Sequence, residues 1–201
     1  MIVNNTYLAL GDSYTIGEGV PLHESYPYQA VQLLRSNGKK IEAPEIIAKT
    51  GWATSELASH IDHTILNTSY HFVSLLIGVN NQYRGMASSF YALEFEELLT
   101  RSLTFAGEKA DHVFVLSIPD WGLTPFAKNR DRSKITTEIA EFNNINLAIS
   151  RKHKVNYIDI TTHSPETDRD NSFLADDGLH PSGKAYKRWA ALLAESMIRV
   201  I

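Results

Sequence analysis

Short apolar runs alternate with longer amphipathic stretches along this chain. The runs predict five strands: Thr6–Leu10, Glu45–Lys49, His71–Ile77, His112–Ser117 and Val155–Ile160. Between and after them the pattern predicts helices over Tyr26–Ser36, Thr54–Leu66, Met86–Phe105, Lys134–His153 and Ser182 to about Arg199. Two of these carry a clear helical face. Tyr91, Phe95, Leu98, Leu99, Ser102 and Ala106 recur at spacings of three and four, as do Tyr186, Trp189, Ala190, Leu193 and Met197. His180-Pro181-Ser182 reads as a turn into the last helix.

Strands alternating with helices imply right-handed βαβ units and a parallel sheet. The expected fold is α/β, a three-layer α/β/α sandwich on five parallel strands. One domain over 1–201 is expected, since no linker, repeat or low-complexity segment interrupts the pattern. In such sheets ligands gather at the carboxyl ends of the strands. Four polar or glycine-bearing points fall there or just before the last helix. They are Gly11-Asp12-Ser13, Gly51, Gly78-Val79-Asn80-Asn81 and Asp177-Gly178-Leu179-His180. The least regular stretches, Ile118–Ser133 and Thr161–Asp177, also follow strands.

Composition narrows the partners. Of 201 residues, 43% are hydrophobic and 21% charged, ordinary for a globular chain. A net charge of −4 offers no electrostatic reason to bind nucleic acid or an anionic membrane. With no cysteine, disulfides, thiolate catalysis and cysteine metal sites are excluded. The longest apolar stretch, near Phe72–Val79, is far short of the ~20 residues of a membrane span. Met1–Thr6 carries no basic residue and does not resemble a secretory signal, so the cytoplasm is the expected compartment.

The four points supply the parts of a nucleophilic centre. A serine hydroxyl is a poor nucleophile until an imidazole takes its proton, and the imidazole needs a carboxylate to fix its tautomer. Ser13, His180 and Asp177 supply that set, with Asp177 three residues before His180 in a turn. Taken singly each has a plainer reading: Ser13 as a helix cap, Asn80 as a turn residue. Asp12 reads as an Asx-turn residue; as a phosphoryl acceptor it lacks the second carboxylate, because position 14 is Tyr. Asp176, Asp177 and His180 are metal-ligand types, but no further ligand with definite geometry is evident, so no metal is expected. His71 and His112 sit at strand starts, the wrong edge. No phosphate-binding glycine motif follows the first strand.

These blocks, in this order, resemble the SGNH hydrolase superfamily, the GDSL esterase/lipase family. Its Ser, Gly, Asn and His map onto Ser13, Gly51, Asn80 and His180, and the acid of its last block onto Asp177. The chain departs from the usual pattern at Tyr14, where a leucine is usual, and at Asn81, where an aspartate is usual. The resemblance implies a flavodoxin-like sandwich and a serine esterase acting through an acyl-enzyme. It implies an oxyanion hole from the Ser13 and Gly51 N–H groups and the Asn80 amide, with no metal and no organic cofactor. The expected partner is a small-molecule ester. Trp52, Tyr83, Arg84 and Trp121, with Gln82 beside them, are the candidate substrate-pocket residues. Aromatic and polar groups there favour a short acyl group on a polar carrier, such as an acetylated sugar. Other family substrates, lysophospholipids and thioesters, remain open, as does a non-catalytic binding module on the same fold.

Overall fold

The computed structural model describes residues 5–165 and 170–201. Part of the irregular stretch Thr161–Asp177 and most of the N-terminal segment Met1–Thr6 therefore lie outside the described residues. Five strands, β1 (Tyr7–Gly11), β2 (Glu45–Ala48), β3 (Phe72–Leu76), β4 (Val113–Leu116) and β5 (Asn156–Ile158), form one parallel sheet in the order β2-β1-β3-β4-β5. This is the flavodoxin-like order.

Every residue of β1, β3 and β4 is buried, which is why those strands read as unbroken apolar runs. The edge strands β2 and β5 are only partly covered.

Seven α-helices are described here: α1 (Ser13–Ile16), α2 (Tyr26–Ser36), α3 (Thr54–Asp62), α4 (Val79–Tyr83), α5 (Ser88–Phe105), α6 (Arg132–His153) and α7 (Gly183–Ile198). α2 packs on α7 in one layer; α5 packs between α3 and α6 in the other. Both helical faces expected from sequence are buried in full. On the α2–α7 side, Tyr26, Tyr186 and Trp189 form an aromatic cluster with ring centroids 5.1–6.5 Å apart.

Beyond end shifts of one or two residues, the predicted strands and α-helices differ from the observed ones in two ways. The third helix stops at Asp62 rather than Leu66, where His63 leaves helical register and Asn67-Thr68-Ser69 offers no apolar face. Helices α1 and α4 were not expected. Each is about one turn, too short for periodicity to register. α1 is made by its caps: the Asp12 carboxylate accepts the Tyr14 N–H at 3.0 Å, and Gly17 closes the turn at φ +79°.

The sheet order sets the site. β2 pairs with β1 on one side and β3 pairs with it on the other, so the order of the strands reverses at β1. The segments after β1, β2 and β3 all emerge at this switch point.

Candidate active site

Gly11 ends β1 where the chain must turn sharply. A Cβ there would lie 2.1 Å from Thr15 Oγ1 and 2.3 Å from the Leu76 carbonyl. The turn delivers Ser13, which is 5% exposed, to the first residue of α1. His180 Nε2 lies 3.0 Å from Ser13 Oγ, and His180 Nδ1 lies 2.5 Å from Asp177 Oδ2. The three side chains expected from opposite ends of the sequence thus form one hydrogen-bonded chain. Asp176 is not part of it.

The loop before α7 is built to hold that geometry. Asp177 Oδ1 accepts the Leu179 and His180 N–H groups, each at 2.9 Å. The Ala175 N–H donates to the His180 carbonyl at 2.8 Å. Ser182 caps α7 immediately afterwards. Burial pushes the Asp177 carboxyl up, but the His180 ring and the two backbone N–H groups outweigh it and hold it below the ordinary carboxylate range. Tyr14 packs edge-on against the imidazole, centroids 5.5 Å apart, and against Trp189.

Asp12 is a different carboxyl. It is fully buried, its Oδ1 is taken by the Tyr14 N–H, and its Oδ2 has no partner among the described residues. Desolvation pushes it up to about 7.

Gly51 and Asn80 come to the same cleft as Ser13 and His180. Gly51 has φ +84°, so the backbone conformation itself calls for glycine; no described atom would crowd a Cβ there. Its carbonyl accepts from Arg84 Nη2 at 2.6 Å, and the next carbonyl, Trp52, accepts from Asn80 Nδ2 at 2.9 Å. Arg84 also pairs with Glu56, 3.0 Å away, whose carboxylate caps the Ala53 N–H at 2.7 Å.

Asn81, one of the two departures from the SGNH pattern, is buried and ties α4 to α3. Its amide accepts the Thr54 N–H at 3.2 Å and donates to Thr54 Oγ1 at 2.6 Å. The Thr54 hydroxyl in turn donates to Glu94.

The cleft measures about 150 Å³ and is walled by Tyr14, Val79, Tyr83, Trp121, Phe126 and Leu179. Tyr83 and Trp121 were expected there. Trp52 and Arg84 were expected but do not line it. The Trp52 ring instead packs at a tilt against His60, centroids 4.7 Å apart, and its carbonyl faces Asn80. Arg84 turns away to the Gly51 carbonyl and Glu56. Gln82 is buried behind the wall: Trp121 Nε1 donates to its Oε1 at 2.8 Å, and its Nε2 donates to Glu138 at 2.8 Å. Sequence reading missed Tyr14, Val79, Phe126 and Leu179; the signal for Tyr14, Val79 and Leu179 was their place in or beside the four blocks, and Phe126 had none. A second, smaller cavity of about 30 Å³ adjoins the cleft and shares Tyr14, Trp121 and Leu179 with it.

No group of three or more metal-ligand side chains is arranged to hold a metal among the described residues. Nor is any described helix long and apolar enough to cross a membrane.

The model of the GDSL-like Lipase/Acylhydrolase family matches residues 9–188. The chain belongs to this family. No curated protein matches its sequence. Solved structures share the fold at low identity. TesA superposes with a TM-score of 0.77 at 15% identity, covering 98% of this chain and 100% of that one. A lipase/acylhydrolase from Enterococcus faecalis gives 0.75 at 21%, covering 97% and 96%. Axe2, an acetylxylan esterase from Geobacillus stearothermophilus, gives 0.75 at 15%, covering 98% and 96%.

Proposed function

We propose that this GDSL-family chain is a serine esterase that hydrolyses short-chain carboxylic esters through an acyl-enzyme on Ser13. The observation that carries the reading is the hydrogen-bonded chain Ser13–His180–Asp177 at the floor of an open cleft.

His180 takes the Ser13 proton as Oγ attacks the acyl carbonyl, forming a tetrahedral adduct. The proton then passes to the departing alkoxide as the C–O bond breaks. Water enters, gives its proton to His180, and attacks the acyl carbon; the ester bond to Ser13 breaks and Oγ recovers the proton. Asp177 keeps the Nδ1–H tautomer and stabilises the imidazolium. The adduct's negative oxygen is held by the Ser13 N–H, the Gly51 N–H and the Asn80 amide. In support, neither of those two N–H groups takes part in a hydrogen bond among the described residues. They are preorganised donors awaiting an acceptor.

Cleft volume supports a small acyl group. A cavity of about 150 Å³ is roughly the size that accepts benzene, about six heavy atoms. Trp121 stands between this cleft and the smaller cavity behind it. Its indole is fixed by Gln82 and flanked by Tyr83 and Phe126 at centroid distances of 5.5 and 6.0 Å. A fixed aromatic wall stops a longer chain.

The test is Ser13→Ala, assayed with nitrophenyl acetate and a fluorophosphonate probe. The variant should keep the wild-type melting curve and lose both turnover and labelling. A wild-type protein that is neither labelled nor active would instead support a binding module on the same fold. Faster turnover of acyl-CoA thioesters or lysophospholipids than of acetyl esters would move the substrate to those classes.

A further inference from the structure

Beside the cleft three aromatic rings surround one guanidinium, which itself lies in an adjoining open groove that shares Tyr83 and Trp121 with the cleft and is also lined by Lys134 and Glu138. The Arg130 Cζ atom lies 4.9 Å from the Tyr83 ring centroid, 5.6 Å from that of Trp121 and 5.8 Å from that of Phe126. Its Nη2 donates to the Tyr83 hydroxyl at 2.8 Å. All three rings line the cleft that holds Ser13 and His180. Tyr83 and Phe126 are 47% and 42% exposed, so they mark its open side.

What Arg130 lacks is equally specific. Among the described residues no carboxylate lies within ion-pair distance of it. Two neighbouring cations are engaged elsewhere: Arg132 donates to the Gly122 carbonyl at 2.6 Å, and Lys134 pairs with Glu138 at 3.7 Å. Asp131, the one acid of the segment, caps α6 through the Lys134 N–H at 3.0 Å. Lys128-Asn129-Arg130-Asp131-Arg132-Ser133-Lys134 carries four cations and one acid in a chain whose net charge is −4. This rim is thus a positive feature on an acidic protein. A guanidinium stacked on rings keeps its planar fork of N–H donors fixed, the geometry that matches a carboxylate or phosphate.

We propose that Arg130 is a specificity residue: it receives a carboxylate or phosphate carried by the alcohol portion of the ester. This rests on the esterase reading above. The alcohol is the portion concerned because it must leave, and water must enter, through the open side that Tyr83 and Phe126 border. The acyl group lies against the closed wall at Trp121. Stacking on the exposed rings of Tyr83 and Phe126 positions the alcohol, and the guanidinium fork reads its anion.

The experiment compares three acetyl esters of phenols: 4-acetoxybenzoate, 4-acetoxyphenyl phosphate, and the neutral methyl ester of 4-acetoxybenzoate. Each is assayed with wild type, Arg130→Gln and Arg130→Lys. Taking the anionic-to-neutral ratio of kcat/KM within each protein, and then comparing proteins, cancels the differing reactivity of the phenols. Arg130→Gln should lower that ratio about tenfold for at least one anionic ester, while the neutral ester changes less than twofold. That tenfold corresponds to about 1.4 kcal/mol of transition-state binding. Arg130→Lys, which keeps charge but loses the fork and the stacking, should retain part of the ratio. In wild type, raising ionic strength from about 0.02 to 0.5 M should raise KM for the anionic esters only. Which anion is favoured identifies the source: the carboxylate arm points to an acidic alcohol, the phosphate arm to a phosphorylated one. Equal losses on neutral and anionic esters would show that Arg130 merely braces the rim, and would overturn the proposal while leaving the esterase intact. Ratios unchanged in Arg130→Gln would overturn it as well. No turnover of any ester, with Ser13 unlabelled, would instead overturn the esterase reading.

Discussion

Replacing Asn80 by alanine tests the proposed oxyanion hole, and the structure sets the size of the effect. The Asn80 Nδ2 carries two hydrogens, one of which is given to the Trp52 carbonyl at 2.9 Å. Loss of one oxyanion donor costs about 10²–10³ in kcat, or roughly 3–4 kcal/mol. Truncation here does more than remove a donor. It also frees the Trp52 carbonyl, and Trp52 follows Gly51, whose N–H is a second proposed donor. Arg84 still holds the Gly51 carbonyl at 2.6 Å, but from a half-exposed side chain that is a looser anchor. The expected loss is therefore near the upper end, about 10³ in kcat. KM should stay within about twofold, because the oxyanion exists only in the transition state. Arg84→Ala alone removes one anchor and no donor. It should cost about 2–10-fold, the worth of one hydrogen bond. The double variant should lose more than the product of the two, since both release the same short segment. Initial rates on nitrophenyl acetate give kcat and KM, and fluorophosphonate labelling shows whether Ser13 remains activated. A kcat for Asn80→Ala within fivefold of wild type would refute this role for the residue.

Trp121→Ala should shift the nitrophenyl ester optimum from acetate or butyrate toward longer chains, by opening the cleft into the adjoining cavity. Each methylene newly buried is worth about 0.8 kcal/mol, close to fourfold in kcat/KM. A Trp52→Ala profile that widens instead would reverse the assignment of the wall. Asp12 yields a pH prediction. Its folded value, about 7, lies above the ordinary 3.8, so the native state binds its proton more tightly than the unfolded chain. This contribution is fully present below about pH 4 and is lost as pH rises through 7; linkage makes it at most about 4 kcal/mol. Asp12→Asn keeps an oxygen to cap the Tyr14 N–H and does not titrate. Urea unfolding at several pH values should therefore show wild type losing stability relative to Asp12→Asn between pH 4 and 7. A constant difference between the two across that window would contradict the buried-carboxyl account.

Much of this fold was legible along the chain. The buried strands β1, β3 and β4 are apolar runs because both faces are covered. α5 and α7 declare their buried faces through side chains spaced at three and four. The convergence of Ser13, Gly51, Asn80 and His180 was also accessible, because parallel strands put all their carboxyl ends on one edge. Periodicity could not see α1 or α4, one-turn helices too short to show an apolar stripe. Nor could it see where side chains point. Trp52 and Arg84 sit in sequence beside Gly51 and Asn80, as cleft residues would. Only the fold turns the Trp52 ring onto His60 and sends the Arg84 guanidinium to the Gly51 carbonyl and Glu56. Phe126 and Arg130, in an irregular loop, gain meaning only by packing on Tyr83 and Trp121 from other segments. Sequence determines what can be buried and at which sheet edge a residue emerges, because burial and strand direction follow local pattern. Direction and partner of a side chain at that edge depend on rotamers chosen among neighbours far away in the chain, and the tertiary structure alone decided them.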